Sequence, residues 1–329
     1  MARKMSGSEK DKIPANTDQA SSDDESVNEN NANAEEEEQE LVVLESDTVD
    51  VDLNHSRIGR IENLEHLQNV ETLTLRWNQI KKIENLSTLS TLRELELYDN
   101  QISKLENLNG LVNLEILDVS HNNIRKIEGL DGLTNLKRLF LVSNKIVCVE
   151  NLSALKNLEV LELGDNRIRI IENLDELTGL KQLFLGKNKI TKLQNMNALT
   201  ELTTLSIQSN RITKIENLEN LEMMEELYLS HNGIKCIDGL ENNKKLNTLD
   251  MAGNAIEKLD NLTHLENIEE FWFNDNQISD WNEIKKIEHM TKLATVYFER
   301  NPIQRSPDYR RKLKLTLPSL TQIDATLCR

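Results

Sequence analysis

The sequence predicts an α/β repeat solenoid, and two observations lead to this fold class. The pattern LxxLxLxxNxIxxIENLxxL recurs with a period of 22 residues, and its asparagine falls at ten evenly spaced positions. No proline, which would remove a backbone donor, occurs between Pro14 and Pro302. Ten matches at one spacing do not arise by chance, so we expect about twelve stacked units rather than two compact domains.

Residues 1–45 precede the repeats and contain few apolar side chains. The first fifty residues carry fifteen Asp and Glu against four Lys and Arg, so most of the formal net charge of -17 lies there. Such a segment buries too little apolar surface to offset the entropy of ordering, and it is predicted to be a disordered acidic tail. Ser21 and Ser22 precede acidic residues, and their phosphorylation is a hypothesis that mass spectrometry of the native protein would test.

The repeats are predicted to span residues 46–304. The first unit is degenerate, because Ser56 stands where the others have asparagine, and the last follows a 25-residue step to Asn301. Alternating leucines such as Leu95 and Leu97 predict a short strand with its leucines directed inward. Strands of successive units then pair in parallel, so the array is predicted to be a leucine-rich-repeat horseshoe with a parallel concave sheet.

Each remaining part of the unit has a predicted place. The repeated asparagine lies where the chain leaves the strand, and its amide can satisfy backbone groups that the turn leaves unpaired. The second half, for example Ile83, Leu86 and Leu89, has roughly helical spacing but is too short for a full α-helix. We therefore expect short 3₁₀ or helical segments on the convex side.

Residues 305–329 are predicted to form a C-terminal cap. Tyr309, Leu313 and Leu317 share one face of a helix that ends before Pro318, and the apolar residues that follow continue the core. A cap is needed because the last repeat has no neighbour to cover its leucines.

Composition excludes several classes of function. No Lys and Arg cluster is large enough to bind a polyanion, so no nucleic acid is expected as the main partner. No apolar run has membrane-spanning length, the first twenty residues show no secretion signal, and three scattered cysteines indicate reduced thiols. We expect a protein of the nucleus and cytoplasm. Because no metal-ligand cluster or nucleotide-binding motif is present, we expect no metal, no cofactor and no enzymatic activity.

A column of strand residues between the two inward leucines is the candidate binding site. Eleven strands at about 4.8 Å make an arc about 50 Å long, which is the size of a protein domain. Five of the twelve aromatic residues fall in this column, and exposed aromatics in a groove typify binding hot spots. The alternative is that a curved sheet merely tolerates bulky residues. The column is Thr74, Glu96, Asp118, Phe140, Glu162, Phe184, Ser206, Tyr228, Asp250, Trp272 and Tyr297.

Two other groups of residues are alternative candidate sites. Asp99, His121 and Ser143 on consecutive repeats have the residue types of a hydrolase triad, but an open arc supplies no oxyanion donors and excludes no water. They are interpreted, with His231, as the polar rim of a binding site. The basic residues of the cap are interpreted as its solvated face, with a docking role as the alternative; they are Arg310, Arg311, Lys312 and Lys314.

The repeat unit, the lone 25-residue step, the terminal YRRKLKLTLPSLTQIDAT and stretches such as LYDNQI and FLGKNKITKLQN resemble one family. It is the family of protein phosphatase 1 regulatory subunit 7, the leucine-rich-repeat subunit of that phosphatase. The resemblance implies a non-catalytic regulator that binds the phosphatase catalytic subunit through the concave face and controls its maturation, activity or localisation, including in mitosis. It also implies a further phosphatase inhibitor in a ternary complex. The contact residues that it implies are Asp118, Phe140, Glu162, Phe184, Asp250, Glu270, Trp272 and Tyr297.

Seven of these eight residues belong to the column found without the resemblance, and Tyr228 completes the candidate set. A short phosphatase-docking motif has no good match, because Val296 and Phe298, which come nearest, are repeat-core positions. Binding by the whole face is therefore favoured. The competing hypothesis is a scaffold for another partner, such as a cytoskeletal or axonemal adaptor or a spliceosomal repeat protein.

Overall fold

The computed structural model describes residues 44–328. The predicted acidic tail, residues 1–45, lies outside this range except for its last two residues, and so do Ser21 and Ser22. Leu44, the first described residue, is partly buried against the core of the repeats.

A sheet of 14 short strands, paired in chain order, forms one wall of the described part of the chain. Strands β1 to β13 pair in parallel, and the first twelve contain three residues each because the 22-residue unit turns out of the sheet after one inward apolar residue. The strands are β1 Asp50–Asp52, β2 Thr72–Thr74, β3 Glu94–Glu96, β4 Ile116–Asp118, β5 Arg138–Phe140, β6 Val160–Glu162, β7 Gln182–Phe184, β8 Thr204–Ser206, β9 Glu226–Tyr228, β10 Thr248–Asp250, β11 Glu270–Trp272, β12 Thr295–Tyr297, β13 Gln322–Ile323 and β14 Thr326–Leu327.

One continuous apolar core runs behind this sheet. The middle residue of each repeat strand is buried, as Leu95 and Leu183 are, and the leucine or isoleucine positions of the outer half close the same core. In the last units phenylalanines replace leucines, and the rings of Phe271 and Phe273 stack with their centroids 4.0 Å apart. Because each turn covers only its neighbours, stability is distributed along the array.

The repeated asparagines form the predicted ladder. The amide nitrogen of Asn100 donates to the carbonyl oxygen of Leu75 at 2.9 Å and to that of Leu97 at 3.1 Å, while its oxygen accepts the N–H of Ile80 at 3.0 Å. The same contacts recur from Asn78 to Asn276 and again at Asn301, after the 25-residue step. The prediction that these side chains satisfy backbone groups at the end of each strand is confirmed.

A second asparagine ladder, which the sequence analysis missed, runs along the outer half. From Asn85 onward, the asparagine of the IENL-type segments adopts a left-handed backbone, with φ of 60° at Asn85, and donates its amide to the carbonyl oxygen 24 residues earlier, here Ile61 at 2.7 Å. Asparagine and glycine tolerate this conformation better than other residues. Gly129 fills the position in one repeat, where a Cβ would lie 2.7 Å from the carbonyl oxygen of Leu105.

The convex segments contain single turns rather than continuous 3₁₀ helix. The N–H of Leu89 donates to the carbonyl oxygen of Leu86 at 3.0 Å, and that of Leu92 to Leu89 at 3.2 Å. These bonds span three residues, as in a 3₁₀ helix, but they do not run consecutively. Regular helix in the described residues occurs at α1 Trp281–Lys285, a 3₁₀ turn Pro302–Arg305 and α2 Tyr309–Thr316.

The longer, 25-residue step is accommodated by α1 on the outer side. Asp280 caps this helix by accepting the N–H of Asn282 at 2.8 Å. The carboxylate of Glu283 accepts the N–H of Leu259 at 2.8 Å, at the repeat position where most other units have the second asparagine. The extra residues therefore change the outer half and leave the pairing of β11 with β12 in register.

The cap closes the end of the sheet as predicted, with Tyr309, Leu313 and Leu317 buried. The buried carboxylate of Asp324 accepts the N–H of Phe298 at 2.9 Å and that of Glu299 at 3.0 Å. Like the oxygen of a ladder asparagine, it therefore satisfies backbone donors of the preceding unit. The hydroxyl of Tyr309 donates to the same carboxylate at 3.0 Å. Strand β14 pairs antiparallel with β13, which ends the parallel sheet.

Replacing Asn243 by leucine is expected to stabilise the fold by about 1 kcal/mol. Asn243 is fully buried where nine other units have leucine, and its amide oxygen is a buried acceptor without a hydrogen-bond partner among the described residues. The carbonyl oxygens of Leu218 and Leu221, to which its amide donates, also accept backbone N–H groups. The measurement is the urea midpoint of unfolding.

The matched control for this prediction is Asn242→Leu, which makes the same change one residue earlier on the exposed surface. It should leave the midpoint nearly unchanged. If Asn243→Leu instead lowers the midpoint, the two bonds of the Asn243 amide outweigh the unpaired oxygen and the expectation is wrong.

Candidate binding face

The candidate column forms one continuous strip across the open side of the sheet, which we call the sheet face. Parallel pairing places Asp118 opposite Phe140, Phe140 opposite Glu162, and Glu162 opposite Phe184. The same register continues through Ser206, Tyr228, Asp250 and Trp272 to Tyr297. Residues far apart in sequence therefore lie about 4.8 Å from strand to strand on one surface.

The aromatic residues of the column lie outside the apolar core. Phe140, Phe184, Tyr228, Trp272 and Tyr297 are half-buried, whereas the strand residue before each of them is buried. A half-buried ring on an open sheet contributes little to the core and leaves apolar area for a partner to cover.

Three of these aromatics form a cluster at the C-terminal end of the sheet face. The ring centroids of Tyr228 and Trp272 lie 6.4 Å apart and those of Trp272 and Tyr297 lie 5.8 Å apart, both edge to face. The hydroxyl of Tyr228 donates to Glu226 at 3.2 Å, and the amide of Gln322 donates to the hydroxyl of Tyr297 at 2.9 Å. These contacts fix the rings in place before any partner arrives.

The indole N–H of Trp272 has no hydrogen-bond acceptor among the described residues, although the nitrogen is buried. A buried donor without a partner costs free energy, so native proteins rarely retain one. A binding partner could supply the acceptor. Trp272 thus lies at the centre of the aromatic cluster and carries a donor that an acceptor on a partner would satisfy.

Carboxylates lie between the aromatics, and burial raises the pKa of two of them. The pKa of Glu162 is raised mainly by burial, and so is that of Asp250, although Asp250 accepts the N–H of Ala252 at 3.0 Å. Burial and then the charge of Glu226 raise the pKa of Tyr228 to about 12, with a smaller contribution from Glu270. Partly desolvated carboxylates of this kind attract a basic partner surface.

The two remaining predicted residues, Glu270 and Asp118, also lie on the sheet face. Glu270 lies on β11 with Trp272, half-buried, and both flank the buried Phe271. Asp118 accepts the N–H of Ser120 at 2.9 Å, which holds its carboxylate at the end of β4. The nine predicted site residues therefore share the sheet face.

The possible hydrolase triad is not assembled. The hydroxyl of Ser143 donates to the carboxylate of Asp165 at 2.7 Å, and His121 packs against the ring of Tyr98 with centroids 4.7 Å apart. Asp99, His121 and Ser143 follow one another along the rim of the sheet, each with a left-handed backbone. This geometry agrees with a polar rim.

The basic cluster of the cap is partly engaged within the cap itself. Arg310 donates to the carbonyl oxygen of Ile323 at 2.7 Å and Lys314 to that of Pro318 at 2.9 Å. Lys312 lies 5.1 Å from the centre of the Trp281 ring. Three of the four side chains therefore make contacts within the protein that stabilise the cap.

Sequence reasoning missed a row of rings at the carboxyl ends of the first strands. His55 stacks on Trp77 with centroids 4.4 Å apart, Trp77 meets Tyr98 at 5.6 Å, and Tyr98 meets His121 at 4.7 Å. We call these four residues the rim ladder. The signal was available, because His55, Trp77 and His121 all stand immediately before a ladder position of the 22-residue unit.

Between residues 44 and 328, no group of three or more His, Cys, Asp or Glu side chains is arranged to hold a metal ion. The same residues contain no helix with the length and apolar character needed to cross a membrane.

Comparison with known proteins identifies the repeat and one group of relatives. A family model described as leucine-rich repeats in two copies matches residues 90–132, 134–178, 178–220 and 223–264, more than half of the chain. Protein phosphatase 1 regulatory subunit 7 of Homo sapiens is 56% identical over 52 residues, which are 16% of this chain and 14% of that protein. Protein phosphatase 1 regulatory subunit SDS22 of Schizosaccharomyces pombe is 47% identical over 55 residues, 16% of this chain and 17% of that protein. The matched segments thus span only about a seventh of the relatives' length.

Among solved structures, an internalin, InlF, of Listeria monocytogenes superposes with a TM-score of 0.68. The two chains are 26% identical, and the superposition covers 85% of this chain and 87% of the internalin. This chain and the internalin therefore share the solenoid architecture. The higher sequence identity, over short segments, is to the phosphatase regulatory subunits.

Proposed function

This chain belongs to the leucine-rich-repeat family, and from that premise we propose that it is a non-catalytic regulatory subunit that binds the catalytic subunit of protein phosphatase 1. The sheet face is the proposed binding site. The observation that carries the proposal is the continuous strip from Asp118 to Tyr297, which contains both half-buried aromatics and carboxylates. The names of the relatives that match short segments indicate the partner.

The strip has the composition of a protein-binding surface rather than of a catalytic site. Aromatic anchors supply most of the binding free energy in such interfaces, and surrounding charges set specificity and association rate. Phe140, Phe184 and the cluster around Trp272 provide anchors along the strip, and Glu162 and Asp250 lie between them. The proposed contacts are Asp118, Phe140, Glu162, Phe184, Tyr228, Asp250, Glu270, Trp272 and Tyr297.

Further parts of the proposal concern the cellular role. Bound to the catalytic subunit, the chain would control phosphatase maturation, activity or localisation, with mitotic roles and with a further phosphatase inhibitor in a ternary complex. We place the complex in the nucleus and cytoplasm. Affinity purification of the tagged chain from interphase and mitotic cells, followed by mass spectrometry and imaging of the tag, tests these assignments.

The direct test titrates the purified phosphatase catalytic subunit with the full chain in a calorimeter. We expect a saturable complex that weakens as salt rises, because exposed charges contribute to it. Affinity should also fall as the pH is lowered through the raised pKa values of Glu162 and Asp250, because protonation removes the negative charges that face the basic partner. Absence of any complex would leave the scaffold for another partner as the better hypothesis.

Replacing Glu162 by lysine is expected to weaken this complex about 10- to 100-fold. Glu162 lies at the centre of the strip, so the change puts a like charge against the basic surface of the partner. The matched control is Glu176→Lys, which alters an exposed carboxylate that pairs with Lys156 away from the sheet. Equal affinities of the two variants would place the phosphatase elsewhere on the molecule.

A further inference from the structure

The rim ladder is a surface that the proposed phosphatase contacts do not use. It covers the first four units, from His55 to His121, whereas the proposed contacts begin at Asp118 and continue to the other end of the sheet. Its four rings span about 14 Å along the rim. A partner on the sheet face could leave this row open.

The fold does not require a tryptophan in this row. Trp77 stands before the ladder asparagine with φ of 54°, in the left-handed region that disfavours bulky side chains. At the same position the other units have mostly small or polar residues; they are His55, Asp99, His121, Ser143, Asp165, Lys187, Ser209, His231, Gly253, Asp275 and Arg300. Trp77 therefore occupies a strained position that mostly small or polar residues fill elsewhere.

The ring of Trp77 is also accessible. It is 41% exposed, whereas the other Phe, Tyr and Trp side chains of residues 44–328 are half-buried or buried. His55 covers one face of the indole at an interplanar angle of 7°, and Tyr98 approaches from another side at 70°. The neighbours orient the indole and leave part of it open to a ligand.

The charges around this ring favour a cation. Asp99 occupies the same position as Trp77 one unit later, is exposed, and its carboxylate makes no hydrogen bond or ion pair within the described residues. The nearby cation Arg76 is already paired with Glu96. A ligand cation would therefore find an open aromatic ring beside an unpaired carboxylate.

We propose that the rim ladder binds an arginine side chain on an extended basic segment of a partner protein. The planar guanidinium stacks on aromatic faces and forms paired hydrogen bonds with carboxylates, which a lysine ammonium does less well. In the bound state the guanidinium lies against Trp77 and donates to Asp99. The next rings, Tyr98 and His121, offer apolar area to the neighbouring residues of the segment.

The test uses the three tryptophans of the chain as separate reporters. In the full-length ¹⁵N-labelled protein, the indole N–H signals of Trp77, Trp272 and Trp281 are assigned from single substitutions and followed during titration with hexa-arginine and with hexa-lysine. Hexa-arginine is expected to shift the Trp77 signal saturably and to leave that of Trp281, on the outer side, in place. Hexa-lysine, with the same charge, should bind at this signal about fivefold more weakly.

Two substitutions complete the design. Asp99→Asn, which keeps the size of the side chain, should weaken the arginine-dependent shift of Trp77 by about fivefold, whereas Asp131→Asn changes an exposed carboxylate on the outer half and should not. An unmoved Trp77 signal, or equal shifts with both peptides, would overturn the proposal. Because no phosphatase is present, the outcome does not depend on the proposed function.

Discussion

Alanine at both Phe184 and Trp272 is expected to weaken binding of the phosphatase catalytic subunit about 1,000-fold. Each ring is a half-buried anchor on the sheet face, and truncation of such an anchor costs about 2 kcal/mol or more. The residues lie four strands apart, about 19 Å, so their effects should add to about 4 kcal/mol, which is three orders of magnitude in the dissociation constant. Trp272 adds an indole N–H that would lose an acceptor supplied by the partner.

The double substitution should leave the repeats folded, because neither ring belongs to the buried core. The urea midpoint, measured beside the calorimetric affinity, separates a lost contact from a lost fold. Val147→Ala with Leu315→Ala is the matched control, since it removes two exposed apolar side chains that are not on the strands. Binding by the double variant at wild-type affinity, with the fold intact, would rule out the sheet face as the phosphatase site.

Alanine at Asn188, in the middle of the ladder, is expected to destabilise the array by about 3 to 5 kcal/mol. The amide of Asn188 donates to the carbonyl oxygens of Leu163 at 2.9 Å and Leu185 at 3.1 Å, and its oxygen accepts the N–H of Ile168 at 2.9 Å. Alanine leaves these groups in the interior without that partner. Because each unit contacts only its neighbours, the two halves of the array should then unfold in separate steps.

Hydrogen exchange measured by mass spectrometry should show the loss of protection centred on the turns before and after Asn188. Asn157→Ala is the matched control, because Asn157 makes one exposed hydrogen bond, to the carbonyl oxygen of Thr134 at 2.9 Å. It should cost less than about 1 kcal/mol. Equal losses of stability in the two variants would mean that the ladder is not the principal support of the interior.

The period of the sequence was sufficient to predict the sheet and the sheet face. Alternation around Leu95 and Leu97 allows only one set of residues to point away from the core, and parallel pairing at equal spacing then aligns that set. For this reason the candidate strip could be predicted from the sequence alone. The partner that binds this strip could not be predicted in the same way, because the residues of a binding surface indicate only the general chemistry of the partner.

Other features depend on contacts that a repeat pattern does not reveal. The convex segments lack continuous helix because each turn uses its carbonyl groups to accept bonds from the next unit, as Ile61 does from Asn85. The role of Asp324 could not be predicted from the repeat pattern. A carboxylate takes the place of the asparagine there, and the residue lies in the cap rather than in a repeat. The sequence shows that His55, Trp77 and His121 share one position of the unit, but it does not show that Tyr98 connects their rings, because Tyr98 stands at a different position.

The short helix α1 has a consequence for how such a molecule changes over time. Three additional residues enter one unit at α1, yet the neighbouring strands keep their partners and Asn301 keeps its ladder contacts. The extra length is therefore taken up on the outer side, and the sheet face keeps its register. We expect that insertions on that side, by evolution or by design, can add a tag, a tether or a regulatory segment. The spacing of the residues on the sheet face would stay constant.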